Sequence, residues 1–518
     1  SWLAQNPVRL GVNWACAMDV AIRAVNWLWG YQFCQASPAL SDAFRLAFFK
    51  SLLQHGRHIR ANLEYSETLT SNHYLSDIVG LVYLGILLPE FGEAAEWRRF
   101  GLQELEKEMF KQVYPDGVDF EASTSYHRLV AELFLAATLL AEANGHRFSP
   151  DYCARLEKMV EFTLHLTRPD GSVPLLGDCD NGRLHRLKAW GGSLQEWSDH
   201  RHLLAIGAVR FGRADFARAA GDQWQEALWL CGAVAVRDAQ RIANAQKTSL
   251  PSQRFPDAGL FVLRHADWHV VVSAGPVGQK GNGGHAHNHI CSFALHSGGV
   301  EWIIDPGTYL YTADYAERNR FRSTHFHNTV VVDSEEQNRF DSNPGRIFSL
   351  HGEACPQITR WEVDDAHLLL VGEHNGYRRL PTPVVHRRTI FFDTETAVWL
   401  IQDELIGRRE HACTTYWHFA PGLTVRPAAT ATSDLQAENG AGQRFTLCAL
   451  SPGATPPTLE AGWVAPCYGL RQAAPVAIWP WPAEVQTTVW ACALGAASEE
   501  QRRRIEAARL RLLNVSPV

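Results

Sequence analysis

"RDAQRIANAQKTSLPSQRFPDAG", residues 237–259, is polar, carries two prolines, and separates two stretches of different hydrophobic period. On its N-terminal side, from Asn13 to about Ala235, apolar residues recur at helical spacing. "LVAELFLAATLLAEANG" (129–145) reads as a helix stopped at Gly145, and "DYCARLEKMVEFTLHLT" (151–167) reads as the next. "HLLAIGAVRFGRADFARAA" and "DQWQEALWLCGAVA" continue the pattern, which suggests an all-α array or toroid. On the C-terminal side the runs are short and alternating: "LFVLRHADWHVVVSAG", "NTVVVDS", "VVHRRTIFFD", "AVWLIQDEL" and "CTTYWHFAPG". Turn residues lie between them and no helical pattern intervenes, which argues for an antiparallel β-sandwich. The expected organisation is therefore a helical domain over 1–236, a linker over 237–258 and a sandwich over 259–518. Thr487 to Ala493 reads as a late strand, with "EEQRRRIEAARL" (499–510) as a terminal helix.

Composition bounds the function. The chain has 518 residues, 46% hydrophobic and 20% charged, as globular domains with large cores require. A net charge of −7 excludes a globally basic nucleic-acid binder. No apolar run reaches the roughly 18–20 residues of a membrane span, Ile78 to Pro89 being too short. Eleven cysteines form no CxxC pair, and most lie in apolar segments as small buried hydrophobes. Ser1 stands first, so the numbering is read as that of a processed or trimmed chain whose targeting information lies elsewhere.

The chemistry concentrates in "GNGGHAHNHICSF" (281–293), with His285, His287 and His289 at every second position. In a strand these side chains share a face. Downstream, "WIIDPGTYLY" carries Asp305, and "FRSTHFHNTVVVD" carries His325 and His327. Two histidines and a carboxylate from adjacent strands make a usual zinc set. Each residue taken alone also has a bland reading, because Asp-Pro-Gly is an ordinary turn. In the helical half, three polar islands interrupt apolar helices: Asn72, His73 and Tyr74; Glu121, Tyr126, His127 and Arg128; and Asp178, Asp180 and Arg183. Singly, these read as helix caps and a turn.

Taken in order, "NHY", "E-x-S-x-x-YHRL", "LLGDCDNGR", "GGHAHNH…SF" and "DPGTYLY…NRFRSTHFHNTVVVD" resemble the heparinase II/III-like polysaccharide lyases, from about Asn13 to beyond Trp417. The resemblance implies an incomplete (α/α) toroid followed by an antiparallel β-sandwich. It implies β-elimination on a uronic-acid-containing polysaccharide, with loss of the C5 proton and cleavage of the 4-O-glycosidic bond. It further implies that Asn72 and His73 neutralise the uronate carboxylate, that Tyr126 acts as base, acid or both, and that His285 is catalytic. His287, Asp305 and His327 match zinc ligands of some members. Arg128, Arg183, Arg318, Arg322 and Tyr309 are candidates for binding the anionic polymer. A tyrosyl base needs a nearby cation, since its ordinary pKa is near 10; Arg128, His127 or the sandwich histidines are candidates for that field. The implied location is periplasmic or secreted. Where many relatives read "GHxHAD", this chain has Asn288 and His289, leaving the role of His289 open.

Two other readings are distinguishable. A non-catalytic glycan-binding or assembly protein of polysaccharide export would use the same fold. A glycoside hydrolase on a similar toroid would need paired carboxylates, for which Asp178 and Asp180, or Glu64 and Glu67, are the candidates. A lyase yields an ultraviolet-absorbing unsaturated end, a hydrolase a reducing sugar without it, and a binding protein neither. The polymer cut, endo or exo action, and the oligomeric state are not legible here.

Overall fold

The computed structural model describes residues 2–189, 191–243, 249–408, 411–429, 431–451, 453–482 and 484–515, except for the side chains at positions 344 and 432. The chain forms two compact units.

The helical unit comprises Ser1–Glu121, Ser125–Leu164 and Gly182–Lys247. Its longer helices are Ala17–Cys34, Asp42–Ala61, Asn72–Leu87, Ala94–Gln112, Thr124–Ala143 and Pro150–Leu166, with shorter ones from Arg201 to Ile242. Serines start two of them: Ser41 accepts from the backbone N–H of Phe44, and Ser71 accepts from that of His73. These side-chain oxygens satisfy amides that a helix N-terminus leaves unpaired. Asn72–Leu87 is buried almost all round, as its unbroken apolar run requires. Close helix packing explains Gly80, where a Cβ would come within 2.7 Å of the Ala21 Cβ, and Gly101, where it would meet Val82 at 2.6 Å.

The β unit comprises Ala122–Thr124, His165–Asn181 and Thr248–Val518. Among the described residues its strands form three antiparallel sheets. One runs Gln253–Phe255, Leu260–His265, Trp268–Ser273, Ser292–Ser297, Val300–Ile303 in spatial and chain order. The largest has the order Thr424–Ala428, Ala431–Glu438, Arg444–Ala449, Thr487–Leu494, Val398–Gly407, Val384–Asp393, His367–His374, Pro356–Val363. The third is Thr458–Cys467, Leu470–Pro480, Cys413–His418, Val330–Val332. Trp268, Trp302, Trp399, Trp417, Trp479 and Trp490 fill the sandwich core with Phe293, Phe392 and Phe445. The terminal helix, Glu499–Val515, covers a second apolar face, placing Ile505, Ala508 and Leu512 on Leu369, Phe391 and Leu400.

The fold class is the expected one: a helical N-terminal region of incomplete (α/α) toroid type, then an antiparallel β-sandwich. The boundary is less simple than a single cut. Helix Ala233–Ile242 enters the stretch read as linker, strand Gln253–Phe255 begins inside it, and residues 244–248 lie outside the described residues. Ala122–Thr124 and His165–Asn181 leave the helical sequence to join the β unit. A period-based reading cannot see this, because those segments are loops and helix ends with no strand period. The histidine stretch is also a correction. Residues 285–291 form a loop ahead of strand Ser292–Ser297, and Cys291 adopts φ +62°. Alternation therefore does not set the direction of His285, His287 and His289.

Candidate functional site

The helical unit contributes one group of candidate residues. Asn72 opens helix Asn72–Leu87 and is buried. Its backbone N–H donates to Glu121 Oε1 at 2.8 Å, and its Nδ2 donates to Glu121 Oε2 at 2.8 Å. Glu121, the first residue of "E-x-S-x-x-YHRL", thus fixes the amide orientation of Asn72. The sequence reading quoted Glu121 without giving it a role. The next residue, His73, leaves 47% of its side chain exposed and sets Nδ1 3.0 Å from Glu64 Oε2. Burial of the ring opposes its charge, but Cys16 and Glu64 outweigh that and raise its pKa to about 10. His73 is therefore an imidazolium at neutral pH, accessible to an anion.

Tyr126 lies in the first turn of helix Thr124–Ala143 and is buried. The two residues that follow it in the helix are held by other groups. His127 accepts from the Asp119 N–H at Nδ1 (3.1 Å), and its Nε2 lies 3.0 Å from the Met159 carbonyl. Burial pushes it down to about 4, so the ring is neutral. Arg128 is 1% exposed and donates to the carbonyls of Trp197 (2.9 Å) and Gly182 (3.0 Å). Arg183 is enclosed between Glu132 and Glu226, with its Nη2 at 2.9 Å from Glu226 Oε2. Both guanidiniums hold the fold together and do not present a face to a polyanion.

In the β unit, Asp178 is the centre. Gly177 turns the chain with φ +67°, and a Cβ there would lie 2.4 Å from the Ala122 carbonyl oxygen and 2.8 Å from that of His285. Only glycine fits this approach. The backbone N–H of Asp178 then donates to the His285 carbonyl at 2.9 Å. Its carboxylate meets His285 Nδ1 (2.9 Å), His287 Nε2 (3.1 Å) and Arg318 Nη1 (2.7 Å). Burial alone would raise the Asp178 pKa, but Arg318 and the two imidazoles reverse this and hold it well below the usual carboxylate range. Asp178 is thus a fixed anion. In sequence Asp178 reads as a turn residue or as half of a hydrolase pair, and "LLGDCDNGR" is the motif that carries it.

Arg318 is correspondingly corrected. It is buried, donates to Asp178 and to the carbonyls of Gly284 (3.0 Å) and Ile347 (3.2 Å), and so braces the loop. Arg322 is also buried, donating to Asn319 Oδ1 (2.9 Å) and the Ser349 carbonyl (3.0 Å). Tyr309 is half-buried, with Arg471 4.9 Å above its ring.

One donor atom from each of His287, Asp305 and His327 lies within 4.8 Å of the other two. Asp305 Oδ2 is 2.9 Å from His327 Nδ1, and its carboxyl is held down by His327 against the effect of burial. His287 Nδ1 and His327 Nε2 are buried nitrogens without a hydrogen-bond partner among the described residues. An orphaned buried polar atom is costly, and imidazole with carboxylate is a donor set suited to zinc. These residues fit such an ion. His289 joins the edge of the group, with Nδ1 4.0 Å from Asp305 Oδ2, and burial lowers it to about 3. Asn288, at the position where the chain departs from "GHxHAD", locks the loop: its Nδ2 donates to Glu336 and to the Asn338 carbonyl, each at 2.8 Å.

Comparison with known proteins adds family and fold. Residues 1–201 match the model described as heparinase II/III N-terminus, and residues 247–489 match that of the heparinase II/III-like C-terminal region. A heparin-sulfate lyase of Bacteroides stercoris is 25% identical over 472 residues, covering 88% of this chain and 60% of that protein. One from Pedobacter heparinus is 24% identical over 435 residues, covering 80% of this chain and 56% of its own length. The chain thus spans less than two thirds of the curated relatives it matches. In fold, it is similar to a crystal structure of a heparan sulfate lyase HepC mutant from Pedobacter heparinus. The TM-score is 0.69 at 21% identity, over 96% of this chain and 72% of the other.

Proposed function

Because the chain belongs to the heparinase II/III-like family, we propose that it is a polysaccharide lyase that cleaves a uronic-acid-containing glycosaminoglycan of the heparan sulfate type by β-elimination. Its relatives are named heparin-sulfate lyases, and the residues present supply the parts such a reaction needs. A base removes the C5 proton, the electron pair forms the C4–C5 double bond, and the C4–O bond breaks with the proton going to the leaving oxygen. Charge builds on the uronate carboxylate as C5 loses its proton, so donors there lower the barrier. In this reading Asn72, oriented by Glu121, and the imidazolium of His73 meet that charge. Tyr126 and His285 move the protons.

The observation that carries the reading is the hydrogen bond between His285 Nδ1 and the fixed Asp178 carboxylate, 2.9 Å long. It assigns the ring proton to Nδ1 and the basic lone pair to Nε2, the arrangement that orients a histidine for proton transfer. His287, Asp305 and His327 would hold an ion, which when bound would supply local positive charge. The size of the polymer favours a periplasmic or secreted enzyme; among the described residues no helix is long and apolar enough to cross a membrane.

The hydrolase reading loses Asp178 and Glu64 as its general acids on electrostatic grounds. A general acid needs a raised pKa, whereas Asp178 is held well below its ordinary value and Glu64 is also lowered, by His73 against burial. The test is to mix the protein with heparan sulfate, chondroitin, hyaluronan and alginate and follow ultraviolet absorbance together with reducing ends. Absorbing products on heparan sulfate support the reading; reducing ends without absorbance, or no product on any of them, oppose it.

A further inference from the structure

Away from the histidine loop, Cys16, Glu64 and His73 bring three different donor types to one point in the helical unit. Cys16 Sγ lies 3.5 Å from Glu64 Oε1 and 3.9 Å from His73 Nδ1, and His73 Nδ1 lies 3.0 Å from Glu64 Oε2. Three ligands on a tetrahedral zinc ion, with metal–sulfur and metal–nitrogen or –oxygen bonds of about 2.3 and 2.0 Å, stand roughly 3.3–3.6 Å apart. The observed triangle is within a few tenths of an ångström of that.

The three residues come from separate, well-supported segments. Cys16 is the N-cap of the 18-residue helix Ala17–Cys34. His73 is in the first turn of Asn72–Leu87. Glu64 is anchored on both sides: its carboxylate accepts from the Met18 N–H at 3.3 Å, and its own N–H donates to Asp77 Oδ2 at 2.8 Å. Such outer bonds hold ligands in place for an ion. Exposure differs from that of the His287 group: Cys16 and Glu64 are half-buried and the His73 side chain is 47% open. An ion can enter, and a fourth position is left to water.

We propose that Cys16, Glu64 and His73 form a second metal site, selective for a borderline-soft divalent ion of the zinc class. The thiolate distinguishes it from the His287–Asp305–His327 group, whose donors are nitrogen and oxygen only. Binding displaces two protons to solvent, one from the Cys16 thiol and one from Nδ1 of the His73 imidazolium, and the freed sulfur and nitrogen lone pairs form the bonds to the ion, whose positive charge then replaces that of the ring.

Cobalt(II) is the probe, because a thiolate ligand gives it a near-ultraviolet charge-transfer band that nitrogen and oxygen ligands do not. The full chain titrated with cobalt is expected to develop this band at one equivalent, and zinc is expected to bleach it. Cys16→Ser should abolish the band, and His73→Ala should weaken apparent affinity by about tenfold or more. His287→Ala should leave the band unchanged, and thermal melts of each variant report whether it folds. Absence of the band in the wild-type protein, or a band that persists in a folded Cys16→Ser variant, overturns the assignment.

Discussion

Asp178 Oδ2 lies 2.9 Å from His285 Nδ1, while its other oxygen faces Arg318 Nη1 at 2.7 Å. One buried carboxylate therefore sets the tautomer of the histidine proposed for catalysis and neutralises the arginine that ties down the same loop. The two roles separate by substitution. Asp178→Ala strands a buried guanidinium and is expected to cost about 3–5 kcal/mol of stability. Asp178→Asn keeps the shape but changes which ring nitrogen carries the proton, and is expected to lower kcat by about 10²-fold or more with a far smaller loss of Tm. Equal turnover in Asp178→Asn and wild type would refute the assignment.

Tyr126→Phe removes one hydroxyl from a buried helix turn. Elimination is expected to fall by about 10²–10⁴-fold, with circular dichroism unchanged. A variant that keeps wild-type kcat shows that Tyr126 moves no proton.

Glu121 is a positioning residue, acting through Asn72. Glu121→Gln replaces a carboxylate that takes two donors from Asn72 with an amide that presents one acceptor oxygen. The expected result is a lower kcat with little change in KM, because the donors matter most as charge develops. A change confined to KM, or to Tm, contradicts that role.

The helical unit carries buried neutral imidazoles at His55, His127 and His185, each pushed down to about 4 from an ordinary 6.5, chiefly by burial. Between those values the unfolded chain binds protons that the folded chain refuses. The contribution of these three rings to stability is thus fully present above about pH 6.5 and is lost as the pH drops towards 4. His127 alone accounts for something on the order of 3 kcal/mol at the low end. Tm measured across this interval should fall steadily, and His127→Gln should flatten the slope. A flat profile from pH 6.5 to 4 would count against the account.

Zinc added to chelator-treated protein is expected to raise Tm, since an ion that binds only the folded state stabilises it by mass action. In a Cys16→Ser background the rise should persist, and in Cys16→Ser with His327→Ala it should vanish. No rise in the single variant excludes the histidine–aspartate group as a metal site.

Much of this was legible from residue patterns. Period alone distinguishes a helical N-terminal part from a strand-rich C-terminal part, because one face of each element must be buried. Motif order marks Asn72, Tyr126 and His285 as the candidates on which the proposed reaction rests. The arginines misled, because a guanidinium in a motif reads the same whether it awaits an anion or, like Arg183 between Glu132 and Glu226, already has its partners. Asp178 and Glu121 were visible as letters but not as hubs, since their partners are 107 and 49 residues distant in sequence. The histidine stretch alternates like a strand yet forms a loop, because alternation in a glycine-rich segment fixes no side-chain direction once the backbone leaves the extended region.

The most direct test of the central claim is the initial rate of ultraviolet absorbance when the protein is mixed with heparan sulfate, compared with that of His285→Ala. The account predicts a steady rise for the wild type, from a C4–C5 unsaturated uronate, and a loss of about 10²-fold or more in the variant. An equal rise in a folded His285→Ala protein, or cleavage by the wild type without absorbance, would contradict it.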